Sequence, residues 1–373
     1  MVAYIRNQEG IFRIDSENRN STEFPTFSDS AWFAGTYQQQ MREALCDNAP
    51  LSITAKVRYF WLSNGFLSVV QRHLYSFSDY YVHFRKGIWL YGDHDRPNLL
   101  YRNPIDSNSR FDTLRMRASR INDAALANPL VSFYIYYVTR ESDFLFESNS
   151  FAHYFDTLKT HLSLSTSHVT QLQLNGFDDY RKSFFRTDHH WNQFGAYQGY
   201  KDIFRMLRLD EQGESLNMPT VPDSILLSPV FSGSKSHGTG TFWKFKEDFF
   251  VYRFDLLPMR ITLNGEEIEY GQPEPDDWTT YAKVFGNDKG ELVFSTGRID
   301  RPNIIIIADS YDNPILKLIA SHFNTTYSID LRHYKEQVGK PFCLNDYIHE
   351  HDISAVLCFV NLGMYITEEW NAF

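Results

Sequence analysis

The chain has 373 residues, enough for roughly two domains or for one domain with large insertions. Hydrophobic residues make up 43% and charged residues 22%, a globular balance that excludes disorder along the whole length. Lys and Arg number 36 against 46 Asp and Glu, a net charge of −10 with no basic run to offset it. That excludes a nucleic-acid partner, because an acidic surface repels phosphate backbones.

The N-terminus, Met1–Arg6, has no apolar signal-peptide core. The expectation is an intracellular protein, or one whose export or anchor segment is missing. Residues 30–46 are predicted as a helix with Phe33, Tyr37, Met41, Ala44 and Leu45 on one face, ended by Asp47-Asn48-Ala49-Pro50. Residues 52–75 read as a second, aromatic-rich helix, and Lys86–Tyr91 as a short strand. Residues 110–127 and 151–162 are predicted helices. Between them Leu130–Thr139, rich in β-branched and aromatic residues, reads as a strand buried on both faces. Asn192 is a good N-cap for a helix reaching about Leu207, with Ala196, Tyr200, Ile203, Phe204 and Leu207 as its buried stripe.

Residues 210–300 change character. Gly, Pro, Ser and Asp separate the strand-like pieces Phe249–Arg253, Arg260–Leu263 and Glu291–Ser295, which suggests a β-rich insertion. The last 75 or so residues alternate: strand Asn303–Ala308, helix Pro314–Phe323, strand Tyr327–Leu331, a helix near Asp346–Glu350, and strand Ile353–Val360. Such alternation implies parallel βαβ units, whose chemistry sits at the carboxyl ends of the strands. That rule points to Asp309-Ser310, to Asp330–Arg332 and to Asn361. No apolar run reaches the roughly 18 residues of a membrane span. Cys46, Cys343 and Cys358 form neither a disulfide framework nor a metal knuckle. Aromatic residues, 16% of the chain, suit either sugar platforms or a large core.

Ser310 closes a fully apolar strand at a polar turn. A helix follows the turn, and the N–H groups near its N-terminus, where partial positive charge gathers, suit an oxyanion there. The plainer alternative is that Asp309 and Ser310 only cap that helix. A serine needs a base, and Thr187–Trp191 offers one. In an extended chain Asp188 and His190 share a side, so the carboxylate could fix the imidazole tautomer and leave Nε2 free for the serine proton. The alternative is a pair of packing or surface histidines. This reading expects Ser310 and His190 within about 3 Å of each other. Gly92-Asp93-His94-Asp95 and His349-Glu350-His351-Asp352 read as solvated loops rather than metal sites, so neither a metal nor another cofactor is expected.

Taken together, Thr187-Asp188-His189-His190-Trp191 with Gly195-Ala196, the distant Ile304–Tyr311 and Ile329–Tyr334 resemble the DHHW family, which is similar to the alginate O-acetylation proteins of the SGNH-hydrolase superfamily. Glu17-Asn18-Arg19 with Phe24-Pro25, Asp47–Pro50 and Lys86–Leu90 fit the same pattern, so the resemblance spans nearly the whole chain. It implies a permuted block order, with Ser310 as nucleophile, His190 as base and Asp188 as orienting acid. Asn361 and Arg332 become candidates for the oxyanion or substrate region. Ala308 departs from the Gly common before Asp-Ser, and Gly286-Asn287-Asp288 imitates a Gly-Asn-Asp block ahead of the serine.

The implied fold is α/β, an SGNH-hydrolase-like parallel sheet flanked by helices. Residues 1–95 would form an N-terminal helical extension packed on the core, and 96–373 a catalytic domain with a β-rich insertion at about 210–300. The implied function is O-acetyltransferase or acetylesterase action on a cell-envelope or exported polysaccharide, supplied by a membrane acetyl-donor protein. A cell-envelope or extracellular location follows, although the expected N-terminal membrane segment is missing and a cytoplasmic one stays open. Two alternatives stand beside it: a metal-dependent phosphoesterase built on the Asp-His-His run, and a non-catalytic glycan-binding or assembly protein.

Overall fold

The computed structural model describes residues 107–145, 150–209, 224–239, 245–270, 280–286 and 288–361, with short pieces between 4 and 101. The helix expected over 52–75 and the Asp47–Pro50 element lie outside these residues. Within 30–46, Tyr37, Gln40, Met41 and Ala44 are described, and all four are helical. Among the described residues no helix is long and apolar enough to cross a membrane. The chain divides into two compact units. One comprises residues 1–101, 186–189 and 232–247, the other residues 102–185, 190–231 and 248–373.

In the first unit Tyr81–His83, Ile88–Tyr91 and Asn98–Tyr101 form an antiparallel sheet. Its core is Ile88, Leu90 and Leu99 with Phe245. Residues 186–189 are clasped against this unit by their backbone. Leu99 N–H donates to Arg186 O at 2.8 Å, and the Lys235 and Ser236 N–H groups donate to Thr187 O.

The second unit is built on an eight-stranded, mostly parallel sheet. The order runs Val169–Gln171, Ser132–Tyr137, Ile353–Val360, Asn303–Ala308 and Thr325–Ile329, all parallel. Glu291–Ser295, Arg260–Leu263 and Glu266–Glu267 then follow antiparallel. Alternation along the strands sends side chains to two faces. Ile305, Ile307, Val356 and Cys358 join one core with Leu114, Ala118 and Ile121 of helix Ser107–Ala127 and with helices Tyr154–His161 and Leu344–Glu350. On the other face Phe359 meets Tyr136 and Trp191, and Tyr136 reaches Asp202 of helix Gln193–Met206. Both faces are thus covered, which is why the strands read as continuous apolar runs.

Three expectations change. Arg260–Leu263 and Glu291–Ser295, read as part of an insertion, extend the main sheet, while Ser224–Phe231 and Glu247–Tyr252 pair separately. Strand periodicity cannot name a strand's partner. The helix expected over Pro314–Phe323 is only Leu316–Ala320. The chain spends residues 309–315 on turns, Asp312 N–H to Asp309 O and Ile315 N–H to Asp312 O. A further helix, Leu331–Val338, N-capped by the Asp330 side chain, lies between strand Thr325–Ile329 and helix Leu344–Glu350, where the sequence reading placed no helix.

Candidate active site

Strand order decides where the site lies. From Asn303–Ala308 the chain crosses to Thr325–Ile329 on one side, then returns to Ile353–Val360 on the other. Ligands of open α/β sheets bind at such a switch point, beyond the carboxyl ends of the strands. Three neighbouring strands there end at Ala308, Val360 and Tyr137, and Ser310, Asn361 and Arg140 follow within one to three residues.

The Ser310 hydroxyl stands 2.8 Å from Nε2 of His190. These residues are 120 positions apart in the chain and belong to the same unit. His190 directly precedes Trp191, which bridges to Phe184, and Phe185 N–H donates to the His190 carbonyl. The ring of Tyr281 lies flat on the imidazole, centroids 3.6 Å apart and planes within 2°. The Tyr281 hydroxyl donates to the Ser310 carbonyl at 2.9 Å. One tyrosine therefore fixes both the plane of the imidazole and the backbone of the serine. The expectation that Ser310 and Asp309 cap a helix fails, and so does the helix-terminus argument for the oxyanion: the helix starts at Leu316 with no side-chain cap.

Behind Ser310, Asp309 is buried. Tyr311 N–H donates to Oδ1 at 3.1 Å and the Asn361 amide donates to Oδ2. Burial raises the proton affinity of this carboxyl, while Arg332, the Tyr311 N–H and Arg140 oppose the rise. Asn361, itself buried, accepts from Nη1 of Arg140 at 3.4 Å through its Oδ1. Arg332 lies in the same unit, but its guanidinium serves carboxylates. Nε donates to Asp330 at 2.9 Å, and Nη2 to Asp288 at 3.0 Å. Burial disfavours its charge, yet Asp330, Asp309 and Asp288 outweigh that and hold it above the ordinary guanidinium range.

Asp188 belongs to the first unit. The stretch 186–190 is bent rather than extended, although Asp188 and His190 are both buried and His189 is only partly so. Asp188 Oδ2 accepts from Ser234 N–H at 2.6 Å, and Oδ1 lies 3.4 Å from Nδ1 of His189. His189 Nδ1 is also 2.8 Å from the Ser234 hydroxyl. The preceding Thr187 anchors the motif: its hydroxyl donates to Glu247 at 2.6 Å and accepts from Gly233 N–H at 2.9 Å. Gly233 is needed here, since a Cβ would fall 2.3 Å from Asp188 Cβ.

Asp288, Asp330 and His333 bring three ligand atoms within 4.8 Å of one another, but Arg332 bridges the two carboxylates and already supplies the cation. Gly92–Asp95 lie outside the described residues, and His349 and Glu350 are exposed at a helix end. A cavity of about 700 Å³ adjoins the site. Trp191, Asn192, Val284, Phe285, Asn313 and Pro314 are in its wall, whereas Ser310 and His190 are not. Sequence reasoning missed Tyr281, one aromatic among many with no pattern to mark it. It also missed Arg140, which the strand-end rule could have found, since it directly follows Leu130–Thr139.

No protein-family model and no curated protein matches the chain. Solved structures do. A DHHW family protein from Eubacterium siraeum superposes with a TM-score of 0.57 at 16% identity, over 78% of this chain and 96% of that one. The chain has the fold of a DHHW family protein. PatB1 of Bacillus cereus matches with a TM-score of 0.54 at 17% identity, over 79% of this chain and 100% of that one. Its form with a sulfonyl adduct gives 0.55 at 18%, over 76% and 97%. The O-acetyltransferase domain of Pseudomonas putida AlgJ is a looser match, 0.41 at 9% over 79% and 95%, and adds nothing to the fold. The Asp188-His189-His190-Trp191 run and the DHHW fold thus point the same way.

Proposed function

We propose that the protein is a serine-dependent acyl-transfer enzyme, an O-acetyltransferase or acetylesterase acting on a cell-envelope or exported polysaccharide. The observation that carries this reading is the 2.8 Å contact between Ser310 Oγ and His190 Nε2 at the switch point of the sheet. An alcohol is a poor nucleophile at neutral pH unless a base takes its proton as it attacks. In the proposed reaction Ser310 Oγ adds to the ester carbonyl while His190 Nε2 accepts its proton. The tetrahedral intermediate collapses to an acetyl-serine, and His190 returns the proton to the leaving alcohol. A second hydroxyl, from a sugar or from water, then repeats the sequence and frees Ser310.

Asp188, two residues from the base, is proposed to orient the imidazole by accepting from Nδ1–H. Asn361 is the side-chain donor proposed for the oxyanion. Arg332 is assigned to holding Asp288 and Asp330, not to the oxyanion. Positioning of the acceptor decides between sugar and water, since well-oriented groups reach very large effective molarities. The aromatic-walled cavity beside the site fits a sugar acceptor. A membrane-bound acetyl donor, and a location at the cell envelope, belong to the same proposal.

The test is a pair of measurements on wild type and Ser310→Ala. With a small acetyl ester, loss of the nucleophile is expected to cut turnover by on the order of 10⁴. A sulfonyl fluoride should add one sulfonyl group to Ser310 of the wild type and none to the variant, read by intact mass. Equal turnover or equal labelling in both proteins sinks the reading.

A further inference from the structure

Arg140 lies three residues beyond strand Ser132–Tyr137, which pairs with the strand Ile353–Val360 that runs into Asn361. Its side chain is largely enclosed, 16% exposed. Nη1 donates to Oδ1 of Asn361 at 3.4 Å, and Nη2 lies 3.7 Å from Glu141. The guanidinium sits 5.8 Å from the centre of the Tyr311 ring. Glu141 is in turn held by the Tyr180 hydroxyl at 2.9 Å. The Arg140 backbone N–H donates to Asp143 at 2.9 Å. The side chain is thus pinned at its base and along its head.

A guanidinium can only donate, whereas an amide has one accepting and one donating end. Turned one way, Asn361 offers its oxygen to Arg140 and its NH2 to Asp309, as observed. Turned over, it would set NH2 against guanidinium and oxygen against carboxyl. Asp309 alone does not enforce the choice, because a protonated carboxyl donates as well as accepts. Arg140 stays charged at every working pH.

We propose that Arg140 is a positioning residue of this site: by donating to Oδ1 of Asn361 it holds the amide with its NH2 toward the Asp309–Ser310 turn, ready for charge that develops on the substrate. This rests on the acyl-transfer reading, with Asn361 as an oxyanion donor. Losing one such donor costs about 10²–10³-fold in turnover. Losing its orientation should cost at most as much, and only while the amide is present.

The experiment is a double-mutant cycle. Wild type, Arg140→Gln, Asn361→Ala and the double variant are compared by kcat and KM on an acetyl ester and by the rate of Ser310 sulfonylation, after thermal melts establish that each is folded. Arg140→Gln is expected to lower kcat by roughly 10–100-fold with KM changed less than about 2-fold, and to cost less than about 2-fold in the Asn361→Ala background. If Arg140→Gln melts below assay temperature, Arg140→Lys takes its place. It keeps a cation beside Glu141, and its cost must also vanish without the Asn361 amide. Wild-type kcat in the Arg140 variants, or equal costs in both backgrounds, overturns the proposal while leaving Ser310 and His190 untouched. Activity surviving in Ser310→Ala, or a wild type with neither turnover nor labelling, overturns the acyl-transfer reading and this inference with it.

Discussion

At Ser310 two contacts converge, an imidazole on the hydroxyl and a tyrosine on the carbonyl, and a buried carboxyl stands one residue earlier. The imidazole and the tyrosine come from two different stretches of chain. The same economy shows at His322, buried 2.7 Å from the Tyr200 hydroxyl. Burial first, then Arg298 and Arg301, push its pKa down to about 4 from 6.5. The folded state therefore holds this proton less tightly than the unfolded chain does. The stability it contributes is present above about pH 6.5 and is lost as pH falls toward 4, about 3 kcal/mol in all. Urea midpoints measured from pH 7 to 4 should fall over that window, and less steeply in His322→Gln, which retains an acceptor for Tyr200. An identical pH dependence in the two proteins would remove His322 from the account.

One element, the helix Gln193–Met206, packs on Trp191, the residue after His190. Asn192 caps it, accepting from the Phe194 and Gly195 N–H groups at 3.0 and 3.2 Å. Two glycines one turn apart let it press close. A Cβ on Gly195 would meet the Ser183 carbonyl at 2.2 Å, and one on Gly199 the Trp191 ring at 2.5 Å. Alanine is the better helix former by about 1 kcal/mol, but overpacking costs about 1–3 kcal/mol. Trp191 is fully buried between Tyr311 and Phe359 and has little room to yield. Gly199→Ala is therefore expected to lower stability in denaturant titrations, and a gain would show that the ring moves at little cost.

Across the molecule, the parallel sheet of the second unit sets the geometry on which the site depends. Its central strand has Ile304 to Ile307 wholly buried, with Ile306 paired to Leu357 on one side and to Ser328 on the other. Truncating a side chain there leaves a cavity that two covered faces cannot close. Ile306→Ala should cost about 2–5 kcal/mol, a large share of the roughly 5–15 kcal/mol that holds a domain together. The urea midpoint should fall while the folded fraction keeps its Ser310 labelling rate. A variant as stable as wild type would contradict the burial of this strand.

The residues alone carry much of this. Four consecutive isoleucines and Ala308 running into Asp309-Ser310 read as a strand buried on both faces with its polar end at a sheet's rim, because the run is short, β-branched and bounded by turn residues. Asn192 as a cap, and strands Asn303–Ala308 and Ile353–Val360, were legible for the same reason. Which distant groups meet is another matter. The contact of His190 with Ser310, the stacking of Tyr281, the pinning of Asn361 by Arg140 and the commitment of Arg332 to carboxylates all depend on strand order and crossover. Those are long-range choices, settled by how whole elements bury their faces together, and no local spacing encodes them.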